Sequence, residues 1–254
     1  MSSDRQLLAW KELDLGPQWV RRRPPPAAPV DLPVLRHPEP PQRITHLDQD
    51  QGQGQGQDTW QQVADEVAGC VKCGLSESRR RTVFGAGPQA ARWLLVGEAP
   101  AADEDASGEP FVGPSGRLLD QMLAAIGLSR GDVFITNLLK CRPPGDRDPA
   151  PVEANTCAAY LCRQIDLMQP DLILLLGEAA VRGVLQTQAT LAEMRGRVHG
   201  FTAAHGEVPV VCTHHPDYLL RNLAEKKKSW EDLCLAVDVA ARQQSLRLAS
   251  AAGG

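Results

Sequence analysis

The chain has 254 residues, 43% of them hydrophobic, and its 27 Lys plus Arg against 31 Asp plus Glu leave a net charge of −4 and a pI of about 5.9. That length suits one large domain or two small ones, and with only four Phe and two Tyr the core must be mostly aliphatic. The acidic balance speaks against DNA binding over the whole surface, since neutralising phosphates needs Lys and Arg, but it leaves room for a local basic face. No apolar run at the N-terminus is long enough for a signal peptide or a membrane span, so a cytoplasmic protein is expected. Its seven cysteines should then be thiols or metal ligands rather than disulfides.

Residues 1–58 hold nine of the 20 prolines, a Gln-Gly repeat from Gln51 to Gln57 and no cysteine. Such a stretch has too little regular apolar surface to offset the entropy of ordering it, and it reads as a flexible extension with at most a short helix over Leu7 to Leu13. Gln6-Leu7-Leu8-Ala9-Trp10 faintly resembles peptides that dock on sliding clamps; a transient amphipathic turn explains it as well.

From Thr59 to Leu248 the pattern is that of a folded domain. A short helical segment precedes Cys70-Val71-Lys72-Cys73, and Trp93 to Gly97 reads as a buried strand. Gly116 to Ile126 reads as a helix stopped by Gly127, and Asp132 to Thr136 as a second strand. Pro151 to Met168 is a helix begun by proline and ended before Pro170. Leu172 to Leu176 is a fully apolar third strand, followed directly by a helix from Glu178. Val208 to Thr213 is the fourth strand, and Asn222 to Leu248 carries the last helix. Continuous aliphatic strands alternating with helices imply a three-layer α/β/α sandwich around a mostly parallel, four-stranded sheet.

Ligands of such sheets bind outside the carboxyl ends of the strands. Those ends carry Glu98-Ala99-Pro100, Asn137, Gly177-Glu178 and His214-His215, so polar chemistry converges on one edge. The close pair Cys70 and Cys73, with the distant Cys141 and Cys157, has a spacing that suits tetrahedral zinc or an iron–sulfur cubane, and spacing does not decide between them. Cys162, Cys212 and Cys234 fall within apolar patterns and read as packed core residues. A Gly-Ala-Gly pattern at Gly85 to Gly87 precedes the first strand, whereas a dinucleotide-binding loop must follow it, so a nicotinamide-dependent enzyme is rejected.

Four segments together resemble the type 4, iron–sulfur uracil-DNA glycosylases. They are V-G-E-A-P-A-A-D-E-D from Val96, G-E-P-F-V-G-P-S-G from Gly108, I-T-N-L-L-K-C-R-P-P from Ile135 and H-P-D-Y-L-L-R-N from His215. Their order and separation match the family, as do the four cysteines, over roughly residues 60–243. The resemblance implies a structural 4Fe-4S cluster on Cys70, Cys73, Cys141 and Cys157, and a monomeric hydrolase acting on uracil-containing DNA. It implies that Phe111 stacks on an extruded uracil, that Asn137 reads its O4 and N3–H, and that His215 donates a hydrogen bond to O2 as negative charge leaves. Glu98 is implied to position water or offset charge on the sugar, with Ala99 and Pro100 beside the base. Glu104 and Asp105 match an acidic pair of the family in the same loop, Glu104 implied to fill the space a thymine methyl would need; the plain alternative for Asp103 and Asp105 is a solvated acidic loop. His214 is expected to point elsewhere.

The resemblance places Tyr218, Leu219, Leu220, Arg221 and Asn222 in a loop that enters the minor groove, with Lys226, Lys227 and Lys228 near phosphates. The family usually has glycine where Ala101 stands and often where Ala99 stands; the added methyl groups have room to crowd a backbone near the base or sugar, but alanine is small and Pro100 fixes the local turn, so activity is expected to survive. A relative that traps DNA covalently does so through a histidine in a basic loop; residues 141–157 contain none. The competing reading is a non-catalytic iron–sulfur or zinc repair accessory protein of the same fold.

Overall fold

The structure is a computed structural model that describes residues 58–252, with side chains to residue 250. The expected N-terminal extension, its short helix and its clamp-like peptide lie outside the described residues, apart from Asp58.

Helix α1 (Trp60–Ala68) begins where Thr59 and Gln62 cap each other reciprocally, Gln62 N–H to Thr59 Oγ1 at 3.2 Å and Thr59 N–H to Gln62 Oε1 at 2.9 Å. Strand β1 (Trp93–Gly97) leads to α2 (Ala102–Ser107) and α3 (Gly113–Ala125), the latter ended by Gly127 in the left-handed conformation. Then come β2 (Val133–Asn137), α4 (Pro151–Met168), β3 (Leu172–Leu176), α5 (Glu178–Leu185) and α6 (Leu191–Met194). Strands β4 (Val198–Ala203) and β5 (Gly206–Thr213) precede α7 (Pro216–Arg221) and α8 (Lys226–Ala252).

The sheet runs in the order β2-β1-β3-β5-β4. The four expected strands are present and mutually parallel, and the sheet is larger than expected by one strand: β4 lies antiparallel to β5 at the edge, Val198 opposite Val211. Its sequence, Val-His-Gly-Phe-Thr-Ala, is only half buried, so it lacks the continuous aliphatic run that marks the other strands. A second correction falls at the C-terminus. Asn222 leaves helical geometry (φ −125°, ψ 73°), so the last helix, expected from Asn222, starts only at Lys226 after one turn of 3₁₀ helix at Leu223–Glu225, and α7 stands before it where a loop was expected.

Alternating strand residues face opposite layers. Leu94, Val96, Phe134, Ile173 and Leu175 pack against Leu161 and Ile165 of α4 and Val181 and Val184 of α5. Leu95, Ile135, Leu174 and Leu176 pack against Leu119 and Leu123 of α3 and Leu233 and Ala236 of α8. Each such fully buried side chain contributes about 2 kcal/mol. The two covered faces fix the sheet, and the sheet fixes where its carboxyl edge presents polar residues.

Candidate active site

Strands β1 and β2 end side by side, Gly97 paired in register with Asn137. Asn137 is 1% exposed, and neither side-chain amide atom has a protein hydrogen-bond partner. Leaving both unpaired in the interior costs about 1–3 kcal/mol each, which makes a ligand-supplied partner the physical rationale for the residue. A Cβ at Gly97 would lie 2.3 Å from Asn137 Oδ1 and 2.7 Å from Phe111 Cζ, so the glycine makes the cradle in which amide and phenyl ring meet. The Phe111 ring in turn stacks on the His215 imidazole, centroids 5.4 Å apart and planes at 30°. The structure therefore brings three of the expected site residues into one contiguous group.

Asn137 is also held from behind, by a residue that sequence reasoning missed. Lys140 is buried, and its Nζ donates to the Asn137 carbonyl at 2.9 Å, to Thr136 Oγ1 at 2.6 Å and to Gln164 Oε1 at 2.7 Å. Burial pulls its pKa down to about 8. The signal was a lone cation in the apolar run Leu138-Leu139-Lys140, where a buried Lys must find acceptors.

His215 caps α7. Its Nδ1 accepts the Asp217 backbone N–H at 3.2 Å, which leaves the ring proton on Nε2. Burial lowers its pKa to about 4, the nearby Asp217 only partly opposing, so the ring is a neutral donor at physiological pH. His214 is less idle than expected: Nδ1 lies 3.1 Å from Ser229 Oγ, Nε2 3.5 Å from Glu225, and the ring stacks on Tyr218 at 5.3 Å.

Glu98 Oε1 accepts the Ala179 N–H at 2.8 Å, in the first turn of α5. Burial raises its carboxyl pKa to about 7, helped by the carboxylates of Asp148, Glu178 and Asp217 and opposed by that amide. Glu98 and His215 line a cavity of about 920 Å³ that runs between the loop before α4, helix α5 and helix α7. His214, Tyr218, Arg182 and Gln186 line it too, whereas Asn137 and Phe111 sit outside that lining.

Several implied roles need correction. Glu104 is buried, and both carboxylate oxygens are engaged on main-chain amides: Oε2 accepts from Ala101 at 2.7 Å and Oε1 from Phe111. It clamps the backbone at Ala101 and at Phe111, a role beside the space-filling one that the resemblance implies. Asp105 is no solvated loop residue, being buried with Oδ1 accepting the Arg80 N–H at 2.8 Å. Ala101 is exposed, and the Ala99 methyl packs with Leu75, Leu139 and the cysteines. Pro100 is buried between them. Leu219 is 1% exposed and belongs to the core, because Tyr218 to Arg221 lie in helix α7 instead of a loop. Tyr218, Leu220, Arg221 and Asn222 do face solvent, and so does Leu223, 65% exposed, which the expected segment stopped short of. Lys226 and Lys227 are exposed, and Lys228 pairs with Glu225 at 2.8 Å.

Cys70, Cys73, Cys141 and Cys157 line one small cavity with Val67, Leu139 and Tyr160. Arg79 Nη1 donates to Cys141 Sγ at 3.2 Å and the Lys140 N–H to Cys157 Sγ at 3.3 Å. Among the described residues, no three His, Cys, Asp or Glu side chains converge closely enough to hold a single ion. Of the remaining cysteines, Cys212 is buried and Cys234 half-buried, but Cys162, expected in the core, is exposed on α4.

Comparison with known proteins gives a consistent picture. The family model described as the uracil DNA glycosylase superfamily matches residues 84–234. The chain is similar to the type-4 uracil-DNA glycosylase of Archaeoglobus fulgidus, 41% identical over 162 residues, which is 62% of this chain and 81% of that protein. It is 39% identical over 180 residues to the type-4 enzyme of Sulfurisphaera tokodaii, covering 69% of this chain and 82% of the relative. Similarity to a type-5 uracil-DNA glycosylase of Pyrobaculum aerophilum is lower, 34% over 145 residues, 51% of this chain and 62% of that one.

Proposed function

From its membership in the uracil-DNA glycosylase superfamily, to whose type-4 branch this chain belongs, we infer that it excises uracil from DNA. The observation that carries this into mechanism is the buried Asn137 amide, unpaired at both atoms, in one cradle with Phe111, whose ring stacks on His215.

The target base must leave the stack to be reached, at a cost of a few kcal/mol that is least in single strands or mismatches. Asn137 offers Nδ2–H to uracil O4 and Oδ1 to N3–H. Cytosine presents the opposite pattern and would strand two buried polar groups, which rejects it by orders of magnitude. As the N1–C1′ bond breaks, its electron pair moves into the uracil ring and negative charge grows on O2, where a neutral His215 Nε2–H donates without needing prior protonation. Water adds to C1′ of the cationic sugar. Glu98, poised near neutrality and flanked by Asp148, Glu178 and Asp217, orients that water, takes its proton and offsets the sugar's charge. Tyr218, Leu220, Arg221, Asn222 and Leu223 form the face that meets the DNA.

Cys70, Cys73, Cys141 and Cys157 fit a 4Fe-4S cluster. Four soft thiol donors around one cavity, two of them already receiving N–H hydrogen bonds, suit a polynuclear centre whose ligands attach at its outer corners. The cluster would supply a cross-link between the segment after α1 and the β2–α4 loop, whose Lys140 grips Asn137.

The test is incubation with a deoxyuridine oligonucleotide followed by alkali. Strand cleavage that disappears in Asn137→Ala and His215→Ala supports the mechanism. Absence of cleavage by iron-loaded protein would instead favour the non-catalytic accessory reading.

A further inference from the structure

We propose that Arg130 is a positioning residue for uracil binding, acting with Glu104 through the main chain of Phe111. The proposal rests on the reading of Phe111 as the surface on which the extruded base stacks.

Phe111 has φ +53°, in the left-handed region that an aromatic residue occupies only when its surroundings force it. The forces are visible on both sides of the residue. Its N–H donates to Glu104 of α2, and its carbonyl accepts Arg130 Nη2 at 2.6 Å. Arg130, in the 3₁₀ turn before β2, also donates from Nη1 to the Pro110 carbonyl at 3.2 Å and from Nε to Asp120 of α3 at 2.6 Å. One guanidinium thus grips two successive carbonyls and is itself anchored by a carboxylate.

The neighbouring glycine completes the clamp. A Cβ at Gly116 of α3 would fall 1.6 Å from the Phe111 carbonyl oxygen and 3.1 Å from Arg130 Nη2, so only glycine lets α3 approach the gripped peptide. Three elements therefore fix the two peptide groups that flank Phe111, whose side chain packs into the Gly97 cradle with Asn137 and stacks on His215. A rotation of either peptide would tilt the ring away from the plane Asn137 needs the base to occupy. The carboxylate of Glu104, with both oxygens bound to amides, belongs to the same device.

The fork geometry separates this role from plain electrostatics. A lysine at 130 keeps the positive charge but cannot serve two carbonyls and Asp120 together. Arg130→Ala and Arg130→Lys are therefore both expected to weaken inhibition by free uracil about tenfold, and to raise KM for a single-stranded deoxyuridine oligonucleotide similarly, with kcat less affected. In a Phe111→Ala background the same changes should alter uracil inhibition by less than about twofold, because the ring through which Arg130 acts is gone. Glu104→Ala should weaken uracil binding likewise and gain no thymine excision.

Full restoration by lysine, or undiminished losses in the Phe111→Ala background, would overturn the proposal. So would a Glu104→Ala enzyme that excises thymine while binding uracil normally. Thermal melting checks that each variant is folded; should Arg130→Ala not fold, Asp120→Asn loosens the arginine from outside the pocket and is expected to weaken uracil inhibition partially, unchanged inhibition counting against the clamp. A wild-type enzyme that fails to release uracil would sink the functional reading itself, an outcome distinct from any of these.

Discussion

Replacing Glu98 by glutamine should make the protein more stable and less active, with both effects governed by pH. Burial, reinforced by Asp148, Glu178 and Asp217, moves ionisation of this carboxyl from 4.5 to about 7 despite the Ala179 amide. The folded state therefore holds the proton more tightly than the unfolded chain. Stabilisation from this group is complete below pH 4.5 and is lost as pH rises through about 7. Taking 1.36 kcal/mol per pH unit, ionised Glu98 costs the fold about 3 kcal/mol at pH 8 but only about 1 kcal/mol at pH 5. Glutamine has the size of the protonated acid and keeps an acceptor for the Ala179 N–H. Urea unfolding of the full chain should thus show Glu98→Gln more stable than wild type by about 3 kcal/mol at pH 8, shrinking to about 1 kcal/mol at pH 5. For a domain of this size that is roughly 6–12 °C in Tm at the higher pH. Over the same range wild-type kcat should fall below pH 7, while the variant loses about 10²-fold and that acid limb with it. A stability gain that does not change between pH 5 and pH 8 would show that Glu98 ionises normally, and a variant with wild-type kcat at pH 8 would remove Glu98 from the reaction.

Asn137→Ala should lower kcat/KM by about 10²-fold or more yet leave the fold no less stable, because the about 1–3 kcal/mol relieved at each of two unpaired polar atoms offsets the packing lost; steady-state kinetics and urea midpoints report the two sides. Gly97→Ala should cost about 1–3 kcal/mol of stability and most uracil affinity, since its Cβ would collide with Asn137 Oδ1 at 2.3 Å. Protein purified without oxygen should carry about four irons per chain and be brown, and Cys157→Ala should lose both by metal analysis and absorbance. Leu219→Ala should destabilise by about 2–5 kcal/mol as a core deletion. Leu223→Ala, at a residue 65% exposed, should leave stability unchanged and raise KM on duplex substrates.

How far the sequence is legible depends on whether a residue's neighbours are close to it along the chain. Helix α4 from Pro151 to Met168 and strand β3 from Leu172 to Leu176 have the bounds expected of them, because proline entry, the halt before Pro170 and an all-aliphatic run are local signals. Strand β4 was missed since an edge strand of Val-His-Gly-Phe-Thr-Ala needs β5 beside it before its pattern means anything. The motif around Leu219 suggests a DNA-facing loop, but Pro216 and Leu219 stand three residues apart and are buried together on one side of α7. Cys162 sits in an apolar-looking stretch of α4 but on its outward face, a distinction that a short pattern carries weakly.

The strand-end chemistry itself was legible because a parallel sheet collects at one edge whatever follows its strands. What was not legible is the chemical state of each group, and the reason is common to all of them. The Asp217 N–H selects the tautomer of His215, the Ala179 N–H reaches back 81 residues to Glu98, and the Phe111 N–H binds Glu104. Each of these donors is a backbone amide, and every residue except proline supplies one, so the letters of the sequence cannot mark which amide a carboxylate or imidazole will meet. Side-chain identity limits what chemistry the edge can perform; the folded main chain decides which proton each group holds when the base arrives.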